Sequence, residues 1–180
     1  EGIINDKEAR IIKNLLALNE IRTDEILTPR AVVFALQKDE TVKESVERII
    51  NIPFSRIPVY DINLDSITGI VLRKELLKIF YTGDSSKKLN EIMLPVYAVP
   101  ESKTIAELLN EFIERREHLF VVIDEYGGTA GIVTLEDAIE TLLGEEIVDE
   151  FESIDDLRVF AVERWKQRRK KLRESMPLEK

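Results

Sequence analysis

The 180-residue chain contains no cysteine and a single histidine, His118. The first absence excludes disulfides, thiolate metal centres and cysteine nucleophiles; the second removes most histidine-based metal sites and proton relays. No run of about 18 apolar residues occurs, so no segment reads as a membrane span, and no basic-then-apolar leader suggests secretion. With 44% hydrophobic and 34% charged residues, and only seven Gly and six Pro, the composition is too apolar for a disordered chain and too charged for a membrane-embedded one. At about 150 residues per domain, the length predicts one domain or two small ones sharing an interface. The first residue is Glu1 rather than Met, so a piece of a longer protein, or a processed chain, is expected.

What is present is unevenly spread. The net charge is −9, yet residues 153–180 hold nine basic and five acidic side chains, leaving a strongly acidic body. Seven carboxylates crowd positions 145–156, among them Glu145, Glu146, Asp149 and Glu150. Such a run reads as a solvated face or connector, and alternatively as a weak divalent-cation site; the Gly-punctuated calcium-loop spacing is absent. Arg164-Trp165-Lys166-Gln167-Arg168-Arg169-Lys170-Lys171 reads as a basic helical tail. A single helix of this kind without a nucleic-acid module offers no base readout, so no nucleic-acid partner is expected.

An internal repeat organises the chain. Glu25-Ile-Leu-Thr-Pro29 recurs as Glu91-Ile-Met-Leu-Pro95, an offset of 66. Thr41-Val42 and Arg56-Ile-Pro-Val-Tyr-Asp61 recur at an offset of 63, and Gly69-Ile-Val-Leu72 at 62. Four stretches in the same order indicate duplication. Each copy reads as β-α-β-β-α. In the first, strand Val32–Leu36 precedes a Thr41-capped helix carrying Val42, Val46, Ile49 and Ile50 on one face; strands Arg56–Tyr60 and Thr68–Leu72 follow, and helix Lys74–Tyr81 stops at Gly83. In the second, strand Val96–Val99, helix Ile105–Arg116, strand Leu119–Ile123, a turn at Tyr126-Gly127-Gly128, strand Thr129–Val133 and helix Leu135–Leu143 end at Gly144. A unit of 55–60 residues buries only about 60% of its surface alone, so the two should pack as one pseudo-twofold α/β (α+β) body. The expected divisions are an entering helix within 1–21, repeats at 22–83 and 84–147, and an acidic connector with a basic helical tail at 148–180. Ala9, Ile12, Leu15, Leu16 and Leu18 should pack the entering helix on the body.

The segment Gly131-Ile-Val-Thr-Leu-Glu-Asp137 admits two readings. Thr134 and Asp137 form a capping box in one. In the other, the helix N-terminus faces an anion while the carboxylate accepts hydrogen bonds from a ribose diol. A purely structural cap should recur, but the first copy has Leu72 and Glu75 instead. Conversely, Thr28 and Ser55-Arg56 answer to Leu94 and His118-Leu119. One cleft could therefore collect Thr28, Ser55, Arg56, Thr134 and Asp137, leaving the other degenerate and His118 a partly buried packing residue. No Walker-type loop and no paired catalytic acid and base are present, so an enzyme is not expected.

These residues also carry a family likeness. The duplicated unit, Leu27-Thr-Pro-Arg30, Ser55-Arg-Ile-Pro-Val59 and Asp124-Glu-Tyr-Gly-Gly-Thr-Ala-Gly-Ile-Val-Thr-Leu-Glu-Asp137 resemble the cystathionine-β-synthase (CBS) domain pair, or Bateman module, of the CNNM/CorC (haemolysin-like) proteins. The likeness covers roughly residues 1–152; Leu27 departs from the family's usual Met, and nothing beyond residue 153 matches the C-terminal domain of many bacterial members. It implies a cytosolic regulatory module of a magnesium or other divalent-cation transport protein, on the cytoplasmic side of a membrane. A transmembrane domain of the parent chain would precede Glu1, and the module would pair as a disc-shaped homodimer. It implies ATP, or another adenine nucleotide, bound with Mg²⁺ at one site per chain. Asp137 would hold the ribose hydroxyls, Thr134 and Thr28 would lie near sugar and phosphates, Arg56 beside Ser55 would meet the polyphosphate, and Phe54, Ile57 and Pro58 would border the adenine. The alternative is a ligand-free dimerisation or interaction module of a membrane protein.

Overall fold

Each repeat builds its own sheet, and each sheet borrows its outer edge from the other repeat. The computed structural model describes residues 5–145. In the first repeat, β1 (Thr28–Pro29) leads through a 3-10 turn at Arg30–Val32 to β2 (Leu36–Gln37), α2 (Val42–Ile49), β3 (Arg56–Tyr60), β4 (Ile67–Leu72) and α3 (Arg73–Tyr81). The second comprises β5 (Tyr97–Pro100), α4 (Ile105–Arg115), β6 (Leu119–Ile123), β7 (Thr129–Thr134) and α5 (Leu135–Leu143). Helix α1 (Asp6–Ala17) precedes both. The sheets run β2-β3-β4 and β1-β7-β6-β5, with the helix crossovers β2–β3 and β5–β6 parallel and the hairpins β3–β4 and β6–β7 antiparallel. This is the mixed α+β arrangement expected of the duplicated unit.

Local chemistry explains the helix limits. Thr41 and Thr104 accept the N–H of Glu44 and Glu107, whose carboxylates accept the threonine N–H in return. Along α4, Ile105, Leu108 and Phe112 are buried at i, i+3 and i+7, and Phe112 stacks on Phe120 with ring centroids 4.2 Å apart. Helix α5 ends at Gly144, whose φ of 69° is the left-handed value glycine adopts without a Cβ penalty.

Three expectations need correction. The strand expected at Val32–Leu36 is found only at Leu36–Gln37, paired with Val59 and Tyr60, and Val32 belongs instead to the 3-10 turn that begins at Arg30. Ile50 lies at the C-cap of α2 and is exposed, outside the buried face of Val42, Val46 and Ile49. Helix α1 buries none of its residues; only Leu18, just beyond it, is in the core.

The repeats interlock by reciprocal exchange. Strand β1 pairs with β7, Thr28 opposite Ile132 and Pro29 opposite Gly131. Its counterpart Leu94 pairs with Ile70 on β4 through two backbone hydrogen bonds of 2.8 and 2.9 Å. Bridges Arg22–Thr104 and Thr41–Lys88 form a second symmetric pair. Accordingly Leu18, Ile26 and Leu27 sit in the core of the second repeat, and Leu89, Ile92 and Met93 pack in that of the first. The crossing segments pass so close that a Cβ on Gly131 would collide with the Thr28 carbonyl oxygen, and one on Gly69 would lie 2.8 Å from that of Leu94. That is the physical reason for glycine at both positions.

Candidate functional site

The exchange gathers one group of the predicted residues. Thr28 lies on β1 against β7, and β7 ends at Thr134, the N-cap of α5. Thr134 Oγ1 accepts the Asp137 N–H at 3.2 Å, while Asp137 Oδ2 accepts the Thr134 N–H at 2.9 Å and its hydroxyl at 2.8 Å. The capping box is thus formed. Both side chains are half-buried, at a helix start whose first N–H groups and dipole favour an anion. At the equivalent point of the first repeat, α3 starts at Arg73 after Leu72 with no side-chain cap, and Glu75 turns to Lys78. A helix therefore forms at this junction without the box. Helix initiation alone does not account for Thr134 and Asp137.

Ser55 and Arg56 belong to the other sheet. Arg56 opens β3 opposite Leu72, and the Arg73 N–H donates to the Ser55 carbonyl at 3.0 Å. Arg56 is half-buried and forms no ion pair among the described residues, whereas Arg10, Arg22, Arg30, Arg48 and Arg115 all do. An unpaired guanidinium at a strand start is free to fork an anionic ligand. Phe54 is 46% exposed and so is not a core aromatic. Ile57 is fully buried in the first core and Pro58 is buried, so they can meet a ligand through little more than backbone. His118 is exposed rather than partly buried; its carbonyl accepts the Leu135 N–H at 3.0 Å, mirroring Ser55 and Arg73.

The mirror exposes a residue that sequence reasoning missed. Arg73 donates from Nη1 to the Ile52 carbonyl and from Nη2 to that of Ile50 at 3.3 Å, clamping the loop that presents Phe54, Ser55 and Arg56. The side chain of its counterpart, Leu135, has nothing to donate. The Arg/Leu difference between the copies was the available signal.

Two surface cavities lie elsewhere. One, of about 420 Å³, is bordered by Val32, Val33, Tyr60 and Leu64; the other, of about 500 Å³, by Lys103, Glu107, Glu111 and Arg115. Neither includes a predicted site residue. Among the described residues no three His, Asp or Glu side chains converge as a metal site. Glu145, a candidate metal ligand, instead pairs with Lys7 at 3.5 Å and Arg10 at 4.0 Å on α1. Glu146, Asp149, Glu150 and the basic tail lie outside the described residues. No helix among the described residues is long and apolar enough to cross a membrane.

Comparison with known proteins agrees with the duplicated architecture. The family profile described as CBS domain matches residues 24–82 and again 89–144. A UPF0053 protein of Synechocystis is 40% identical over 161 residues, covering 89% of this chain and 46% of that protein. The magnesium and cobalt efflux protein CorC of Escherichia coli K12 is 32% identical over 155 residues, 86% of this chain and 53% of CorC. The chain thus spans about half the length of these relatives. The solved CBS domain of a bacterial CNNM/CorC family Mg²⁺ transporter in complex with ATP superposes with a TM-score of 0.74 at 37% identity, over 77% of this chain and 99% of that one. With both repeats matched and their edges exchanged as the register describes, the chain belongs to the CBS-domain family, as a tandem pair of the CNNM/CorC type.

Proposed function

We propose that this CBS pair is the adenine-nucleotide-sensing regulatory module of a CNNM/CorC-type magnesium or divalent-cation transport protein, on the cytoplasmic side of its membrane. One ATP binds per chain. The observation that carries this reading is the broken symmetry of the two helix starts: Thr134 and Asp137 cap α5, while α3 forms behind Leu72 without a side-chain cap. Asp137 takes the ribose hydroxyls, the α5 N-terminus with Thr134 and Thr28 faces sugar and phosphate, and Arg56 meets the polyphosphate. Phe54 borders the base. Mg²⁺ arrives with the phosphates, since the described residues hold no carboxylate cage for it and Mg²⁺ keeps most of its waters when phosphate binds it. Binding regulates the parent by favouring one geometry of a homodimer over another, and it can do so only through a difference in affinity between them. The ATP complex of the related bacterial CBS domain supports the choice of ligand.

Calorimetric titration with ATP and Mg²⁺ tests it. One site per chain is expected, with Asp137→Ala abolishing heat release; an unchanged isotherm in that variant rejects the site. ADP and AMP, titrated alongside, rank the nucleotides. The box is already closed on Thr134, which favours a second reading, a ligand-free dimerisation module. That reading predicts no shift of melting temperature with any adenine nucleotide.

A further inference from the structure

Helix α5 has a side-chain cap at its start and a second, from another helix, at its end; among the described residues α3, its equivalent, has neither. At the end of α5, Asn14 Nδ2 of α1 donates to the Leu142 carbonyl at 3.1 Å, one of the terminal carbonyls that an α-helix leaves without an internal partner. Gly144 follows, so close to α1 that a Cβ there would lie 2.7 Å from Asn14 Nδ2, and Glu145 pairs with Lys7 and Arg10. The end of α3 is different. There the Thr82 hydroxyl donates to its own helix at the Ile79 carbonyl, Tyr81 is exposed, and a Cβ on Gly83 would meet no atom of the described residues within 4 Å.

Helix α1 meets α5 along one face. Lys7, Arg10, Ile11, Asn14, Ala17 and Leu18 recur at i, i+3, i+4, i+7, i+10 and i+11; Ile11, Asn14 and Ala17 are half-buried and Leu18 is buried. Ile12, Leu15 and Leu16 stand outward, exposed. The ion pairs to Glu145 are exposed and add little, so the Asn14 hydrogen bond and the half-buried side chains set the docking. Asp137 and Leu142 are separated by about 8 Å along the axis of α5. With no Pro or Gly between Leu135 and Leu143, α5 has no kink site, and its two ends move as one body.

We infer that α1 is a regulatory arm of the nucleotide site: Asn14 is a positioning residue that holds α5 at its end and so sets Asp137 at its start, and nucleotide occupancy in turn fixes α1 on the body. The inference rests on the nucleotide-binding reading above and names the element through which that site is regulated.

Hydrogen–deuterium exchange with peptide mass spectrometry on the intact protein tests it. ATP with Mg²⁺ should slow exchange of Asp6–Ala17 about fivefold, an effect lost in Asp137→Ala and not matched along Lys78–Tyr81 at the end of α3. Coupling is reciprocal, so titration of Asn14→Ala should show ATP affinity lowered by the same factor, about fivefold, whereas Leu16→Ala, on the outward face, should bind as the unaltered protein does. Bound ATP with unchanged exchange in α1, or undiminished affinity in Asn14→Ala, overturns the arm and leaves the nucleotide site standing. Equal slowing along Lys78–Tyr81 reports tightening of the whole fold and overturns the arm too. Absence of ATP binding in the unaltered protein overturns the nucleotide reading and the arm together.

Discussion

At the residue scale, close approach of backbone segments governs the two glycines. Gly131 cannot accept a side chain while β1 lies on β7, because the Thr28 carbonyl occupies the space. Gly131→Ala should cost about 1–3 kcal/mol, the range for overpacking a tight interior, and should show as a lower melting temperature. It should also weaken nucleotide binding by displacing Thr28 from the α5 start; a variant as stable and as tightly binding as the parent contradicts the exchange geometry. Arg73 acts through other residues. Arg73→Lys keeps the charge but cannot fork the carbonyls of Ile50 and Ile52. Titration should show ATP affinity reduced about tenfold, some 1.4 kcal/mol; undiminished affinity would mean that the 50–56 loop needs no clamp.

At the element scale, the threonine-headed helices make stability depend on pH. Hydrogen bonds from the N–H and hydroxyl of Thr41 and Thr104 hold the Glu44 and Glu107 carboxyls below their ordinary 4.5. The Lys103 ammonium hydrogen-bonded to Glu111 does the same there. Because these folded-state values are depressed, the stabilisation is complete above about pH 4.5 and is lost as pH falls through the lower folded values. Thermal melts across that range should steepen in the acid limb for the parent, and Glu107→Gln should flatten part of that slope; an identical slope removes Glu107 from the account. Thr104→Ala, read by the same melts, should cost about 1 kcal/mol. The Thr41 cap, strands Arg56–Tyr60 and Leu119–Ile123 and helix Leu135–Leu143 were legible in the sequence because each depends on residues adjacent in the chain. The pairing of β1 with β7 was not, since the contact of Thr28 with Ile132 spans about a hundred residues and leaves no local periodicity. The outward apolar stripe of α1 was misread for a related reason: a periodic pattern reports that a face is buried somewhere, not against what. At the candidate site, comparing the two copies identified Thr134 and Asp137 but passed over Arg73, whose partners are carbonyls that the sequence does not reveal.

At the scale of the whole molecule, neither half is self-sufficient. Leu18, Ile26 and Leu27 fill the core of the second repeat, while Leu89, Ile92 and Met93 pack in that of the first. Calorimetry should therefore show one unfolding transition with equal calorimetric and van't Hoff enthalpies; two separable transitions would mean independent repeats. The same exchange fixes how mechanical work travels. The chain leaving α1 is gripped at once by the second repeat: the Ala106 N–H donates to the Leu18 carbonyl at 3.1 Å, the Ile105 N–H to that of Ile21 at 3.0 Å, and the Thr23 hydroxyl to that of Lys103 at 2.8 Å. A pull on the N-terminal helix is thus delivered first to the distant half of the sequence, where β7 ends at Thr134 and α5 carries Asp137, and the first repeat feels it only afterwards. Stiffness at the start of α5 and tension on the incoming chain become two readings of one strut.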